Sequence, residues 1–168
     1  QALLLTTVEG FSPTEAARIF GSDVAEIDVL VNEARAEIAR QTHARVLIIE
    51  DEPIIAMHLE TIVRDLGHDV TGIATTLTEA MAAFHAEPPG LVLADIQLAD
   101  ASSGIDAVKA MLAERPVPVI FITAFPERLL TGERPEPAFL ITKPYAEEQV
   151  RSAVSQAMFF ASTETLQA

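Results

Sequence analysis

The sequence is 168 residues long, enough for one domain of the common size of about 150 residues and for a real hydrophobic core. Its 11 basic and 25 acidic residues leave a formal charge of -14, which repels a phosphate backbone and speaks against broad nucleic-acid binding, and the lack of cysteine excludes disulfides, thiol catalysis and cysteine-ligated metals. Apolar residues at 49% and charged residues at 21% are a globular composition; with no run near the roughly 18 residues of a membrane span and no signal peptide, a soluble cytoplasmic protein is expected.

The first 43 residues hold no strand-like run and read as three helical stretches, Ala2 to Glu9, Ser12 to Phe20 and Asp23 to Arg40. Ser12-Pro13 with Glu15 makes a helix start, Gly21 a break, and Asp23 a candidate cap. So short a helical piece is uncomfortable alone, and it is expected to be part of a longer domain. After it, apolar runs alternate with helical stretches: Val46 to Ile49, a helix Pro53 to Leu66, Asp69 to Ala74, a helix Thr78 to Glu87, and Leu91 to Ala94. A helix Ile105 to Glu114, a strand Val119 to Ile122, a short helix near Glu127 to Leu130, a strand Phe139 to Ile141 and a helix Ala146 to about Ser162 complete the series. Five apolar runs separated by helices predict an α/β, doubly wound, parallel sheet covered on both faces. Two domains are expected, 1–43 and 44–168.

In such a sheet the ligand crevice lies at the C-terminal strand ends. Glu50 and Asp51 follow the first run, Asp95 the third, Thr123 the fourth and Lys143 the fifth. Three converging carboxylates repel one another unless a cation neutralises them, and an all-oxygen cluster suits Mg²⁺. A lysine and a hydroxyl beside them would meet the oxygens of a phosphoryl group on Asp95. Any one acid after a strand is an ordinary loop residue or helix cap; the joint pattern is what points to aspartyl-phosphate chemistry.

The stretches LIIEDEP, LVLADIQL, FITAFPE and ITKP resemble the motifs of the response-regulator receiver domain, over about Arg45 to Met158. The resemblance implies a flavodoxin-like strand order 2-1-3-4-5. It makes Asp95 the phosphoacceptor, charged by a histidine kinase, a phosphotransfer protein or a small donor. It gives Mg²⁺ the ligands Asp51, Asp95 and the backbone carbonyl of Gln97, with Glu50 acting through water, and it sets Thr123 and Lys143 on phosphoryl oxygens. Three positions depart from the pattern. Ala99 stands where the family has proline, the stretch DIQLADASSG is one residue longer than usual, and Leu140 stands at the place of the aromatic switch. Tyr145 is expected to cover the last strand. His43, His58, His68 and His85 are scattered and read as structural or solvent-facing.

Ala17, Gly21 and Ile27 have helix-turn-helix offsets, and with ALLLTTVEGFSPTEAARIFG they resemble region 4 of an extracytoplasmic-function sigma factor. A DNA reader presents basic or amide side chains, yet from Asp23 to Arg40 five acids face two arginines. Val24, Asp28, Val29 and Leu30 suit a protein partner better. A sigma-like segment ahead of a receiver, with DIQLADASSGIDAV and TAFPERLLTG, resembles the PhyR-type general stress-response regulators. That family implies partner switching: an intramolecular contact between receiver and sigma-like domain loosens on phosphorylation, and the freed surface captures a NepR-type anti-sigma factor, releasing a sigma factor. The chain is expected not to be an enzyme beyond its own phosphoryl transfer and dephosphorylation, with no membrane or DNA partner. The alternatives are a DNA-binding response regulator, which the acidic helix opposes, and a Mg²⁺-dependent aspartyl-phosphate hydrolase, which would want a second acid where Gln97 stands.

Overall fold

A computed structural model of the chain describes residues 12–129 and 139–165. The expected helix from Ala2 to Glu9 and the end of the short helix at Leu130 lie outside the described residues. These residues form two compact units divided between Thr42 and His43.

The first unit is a helix pair. Helix α1 (Pro13–Phe20) opens on a capping box: the Ser12 hydroxyl accepts from the Glu15 amide at 3.3 Å, and Glu15 Oε2 accepts from the Ser12 amide at 2.8 Å. Gly21 ends it with φ at 66°, a left-handed conformation that costs glycine nothing, and α2 (Val24–Thr42) follows. Ala17, Ile27 and Val31 are buried together, so the small residue does let the two helices meet. Val24 is a correction to the expected exposed surface. It lies three residues before Ile27 and seven before Val31, hence on the same helix face, and packs half-buried against that small core.

The second unit is a five-stranded, all-parallel sheet of order β2-β1-β3-β4-β5, with β1 Arg45–Ile49, β2 Asp69–Ala74, β3 Leu91–Ala94, β4 Val119–Thr123 and β5 Phe139–Thr142. Strands β1, β3 and β4 are interior, and Val46–Ile49, Leu91–Ala94 and Val119–Ile122 within them are apolar at every position, because helices cover both faces. Alternation divides them: Val46, Ile48, Leu93, Ile120 and Ile122 face one layer, and Leu47, Ile49, Val92, Ala94 and Phe121 the other. The first layer is closed by α3 (Pro53–Asp65), through Leu59, Ile62 and Val63, and by α6 (Glu147–Thr165), through Val150, Val154 and Met158. The second is closed by α4 (Leu77–Ala86), through Ala80 and Phe84, and by α5 (Gly104–Glu114), through Ala107, Val108 and Met111. Each buried Val, Leu, Ile, Phe or Met side chain among these contributes roughly 1.5–3 kcal/mol.

Edge strand β2 reads least clearly because only one side of it is paired, and its register shifts against β1 between Val46 and Leu47. The short helix after β4 is a single 3₁₀ turn, Pro126–Leu129, held by the buried Leu129. Among the described residues no helix is long and apolar enough to cross a membrane.

Candidate functional site

Where the strands end, the ladder runs on by one residue. The Glu50 amide donates to Ala74 O at 2.9 Å, the Asp95 amide to Ile49 O at 2.8 Å and the Lys143 amide to Thr123 O at 2.8 Å. Each of the three site residues is therefore fixed by the strand beside its own, and their side chains leave the same edge of the sheet.

The carboxylates of Glu50, Asp51 and Asp95 come together, with one oxygen of each within 4.8 Å of the others. Lys143 reaches into the cluster: its Nζ lies 2.7 Å from Asp95 Oδ2 and 2.8 Å from Glu50 Oε2, and 3.6 Å from the exposed Glu52. Its side chain is 9% exposed and that of Glu50 not at all, so this is an ion pair away from water. Burial pushes the Glu50 carboxyl above its usual range, against the pull of Lys143. Burial pulls the Lys143 ammonium down, but hydrogen bonds to Asp95 and Glu50 outweigh it and leave the group raised and charged. The other oxygen of Asp95, Oδ1, accepts from the Ile96 amide at 2.5 Å and the Gln97 amide at 3.3 Å. Thr123 is fully buried, and its Oγ1 accepts from the Phe125 amide at 3.1 Å.

Three carboxylates against one ammonium leave two negative charges uncompensated when all are ionised. The donors are hard oxygens, and Asp51 is half-exposed at the mouth of the cluster. That set fits a small divalent cation with water completing its shell. Gln97, expected to offer its carbonyl, is exposed and bridged to Ser103 in a short antiparallel contact.

The loop from Asp95 to Gly104 is tightly folded. Gly104 is packed so closely that a Cβ there would lie 1.7 Å from Asp95 O, and its amide donates to Ile96 O at 2.8 Å. Tyr145 packs half-buried on the α3/α6 layer and stacks on His58, ring centroids 5.9 Å apart and 7° from parallel. Burial first, and then the charge of Glu50, raises the Tyr145 phenol, while Lys143 pulls the other way. Sequence reasoning missed this pairing, since His58 and Tyr145 are 87 residues apart. His68 is the one buried histidine among the described residues, and its Nδ1 accepts from the Ala44 amide at 3.2 Å. Leu140, at the switch place, is 42% exposed.

On the helical unit, Asp28, Val29 and Leu30 are exposed on α2, and so are Ile19 and Phe20 on α1. The last two were not singled out from the sequence, because the apolar residues of a short amphipathic helix read as core until a partner helix is shown to take only one of them.

Residues 1–41 match the family model described as "Response regulator PhyR, sigma-like domain", and residues 46–155 match "Response regulator receiver domain". The chain is 56% identical over 161 residues to the phyllosphere-induced regulator PhyR of Methylorubrum extorquens, covering 95% of this chain and 60% of that protein. It thus spans less than two thirds of the length of that relative. The crystal structure of the response regulator PhyR from Brucella abortus is 56% identical with a TM-score of 0.71, covering 99% of this chain and 68% of the other. A co-crystal structure of the anti-anti-sigma factor PhyR complexed with the anti-sigma factor NepR, from Bartonella quintana, is 56% identical with a TM-score of 0.69, covering 95% of this chain and 66% of the other.

Proposed function

Since this chain belongs to the PhyR family of response regulators, we propose that it is a partner-switching regulator whose phosphoacceptor is Asp95. The observation that carries the reading is the bridging of Asp95 and Glu50 by Lys143, with Asp51 in the same cluster, at the C-terminal edge of the sheet.

Mg²⁺ would be held by Asp51, Asp95 and the Gln97 carbonyl, with Glu50 acting through water. When bound, the ion offsets the negative charge that otherwise keeps a phosphoryl group away from this site. A carboxylate oxygen of Asp95 attacks the phosphorus of a phosphohistidine on a histidine kinase or phosphotransfer protein, or of a small acyl phosphate. The new O–P bond forms as the donor's P–N or P–O bond breaks, and the leaving group takes the electron pair. Lys143, now on Asp95 Oδ2 at 2.7 Å, moves onto a phosphoryl oxygen. The Thr123 hydroxyl, which accepts from the Phe125 amide, donates its proton to another. With the same residues the chain catalyses its own phosphoryl transfer and the later hydrolysis; it has no other enzymatic role.

Phosphorylation then makes the sigma-like segment available to its partner. The surface of Asp28, Val29 and Leu30, extended by Ile19 and Phe20, captures an anti-sigma factor of the NepR type. An acidic, apolar helix surface supports a protein partner over DNA. A shift of a few kcal/mol in the closed/open balance suffices, which altered contacts around one phosphoryl group can supply.

The test is a pull-down from native lysate with the full chain in Mg²⁺, with and without acetyl phosphate, and with Asp95→Asn as control. A small protein retained by the wild type only with donor is the expected result. Phosphate uptake by Asp95→Asn at the wild-type rate would remove Asp95 from the role, and capture of DNA instead of protein would overturn the partner-switching reading.

A further inference from the structure

The loop from Asp95 to Gly104 lacks the proline that would stiffen it, with Ala99 at that place, yet it is held at many points. Within the loop, Leu98 N donates to Ser102 O at 3.3 Å, Ala101 N to Leu98 O at 3.1 Å and Gly104 N to Ile96 O at 2.8 Å, while Leu98 is buried in the core. Two more hydrogen bonds fasten it to the turn between β2 and α4. Ala99 N donates to Thr75 O at 3.3 Å, and Leu77 N donates to Ser102 Oγ at 3.2 Å. The second is made by a side chain and so can be removed cleanly.

Leu77 N belongs to the first residue of α4 and has no carbonyl one turn back to serve it. The helix's own cap, Thr76, uses its hydroxyl on the Glu79 amide at 3.2 Å, so Ser102 reaches across from the other loop to supply the acceptor for Leu77. Ser102 is held in place in turn. Its amide donates to Asp100 Oδ1 at 3.0 Å, a hydrogen bond between residues two apart that pins the turn from which its hydroxyl reaches Leu77. Next to this clamp, Ser103 bridges Gln97, two residues from Asp95.

We propose that Ser102 is a positioning residue for the phosphoacceptor site: clamped to the start of α4, it holds the loop so that Gln97 keeps its amide on Asp95 and its carbonyl at the edge of the acidic cluster. The carbonyl's role rests on the reading of this cluster as a Mg²⁺ site; the hold on the loop does not.

Four forms of the full chain decide it: wild type, Ser102→Ala, Ser102→Thr and the control Thr71→Val. The control loses a hydrogen bond of similar length, Thr71 Oγ1 to Val46 O at 3.3 Å, away from the loop. Amide exchange at Gln97 and Leu98 is followed by NMR, and Mg²⁺ is titrated while the same amide shifts are read. In Ser102→Ala, exchange is expected to quicken about two- to tenfold, the worth of one neutral hydrogen bond. The Mg²⁺ dissociation constant is expected to rise about tenfold, the low end for an outer-shell partner of a metal site. Ser102→Thr should restore both, and Thr71→Val should move neither. Unchanged exchange in Ser102→Ala, or the same change in Thr71→Val, overturns the proposal. A wild type that ignores both Mg²⁺ and acetyl phosphate would sink the proposed function instead, and the exchange comparison would still decide the part played by Ser102.

Discussion

Replacing Gly104 by alanine puts one methyl group against the backbone carbonyl of the proposed phosphoacceptor. The added Cβ would lie 1.7 Å from Asp95 O, whereas ordinary van der Waals contact begins at 3.4 Å, so the two must part by the difference, 1.7 Å. Neither atom is on a flexible side chain, so no rotamer change relieves the clash and the loop or the start of α5 has to move. The movement breaks the 2.8 Å bond from Gly104 N to Ile96 O, worth about 1 kcal/mol, and adds overpacking strain of about 1–3 kcal/mol. Alanine recovers about 1 kcal/mol as the better helix former, leaving a net loss of about 1–3 kcal/mol. At roughly 4 °C per kcal/mol, Tm is expected to fall by about 4–12 °C. Because the displaced atoms belong to Asp95 and its neighbour, phosphorylation by acetyl phosphate should also slow at least tenfold, more than the stability loss alone explains in a chain still folded at 25 °C. Differential scanning calorimetry and a phosphorylation time course measure the two effects. A Gly104→Ala protein with wild-type Tm and wild-type rate would refute the close approach on which this reasoning depends.

Lys143→Met removes the cation between two buried carboxylates and should cost about 3 kcal/mol near neutral pH. Glu50 already has a pKa raised by burial, so its contribution to stability is present below 4.5 and lost as pH rises through the folded value; the deficit of Lys143→Met should therefore grow with pH, as urea melts at several pH values will read. His68 has the opposite sign: burial lowers its pKa from 6.5, so it stabilises the fold above that pH, and the contribution is lost as pH falls through the folded value. His43 works in the same direction as burial and Asp69 against it, and His68→Asn, which keeps an acceptor for the Ala44 amide, should flatten this part of the stability profile. Ala101 has φ at 59°, a left-handed conformation costly for alanine, and Ala101→Gly should stabilise the chain by about 0.5–1 kcal/mol in the same melts.

Much of the fold is written locally. The runs at Val46, Leu91 and Val119 are apolar at every position because helices cover both sheet faces, and Gly21 and Ser12 mark helix ends through conformational and hydrogen-bonding preferences of single residues. The helix pair was legible in the offsets of Ala17, Gly21 and Ile27, because helical spacing decides by itself which side chains can meet. Val24 was misjudged for a related reason: burial at a helix's first turn depends on the partner's reach, which spacing does not reveal. The site residues stood out because parallel strands bring their C-terminal ends to one edge, so acids after β1 and β3 and a lysine after β5 had to converge.

Sequence alone determined the elements, the sheet's double covering and the chemistry gathered at its edge, since these follow from residue type and short-range periodicity. Only the tertiary structure decided how the charges are shared and what holds them. Burial of Glu50, the position of Lys143 between two acids, the pressing of Gly104 against Asp95, the stack of His58 on Tyr145 and the clamp from Ser102 to Leu77 join residues 9 to 93 positions apart. Desolvation and hydrogen-bond geometry depend on which atoms meet in space, and no local pattern in the chain encodes that.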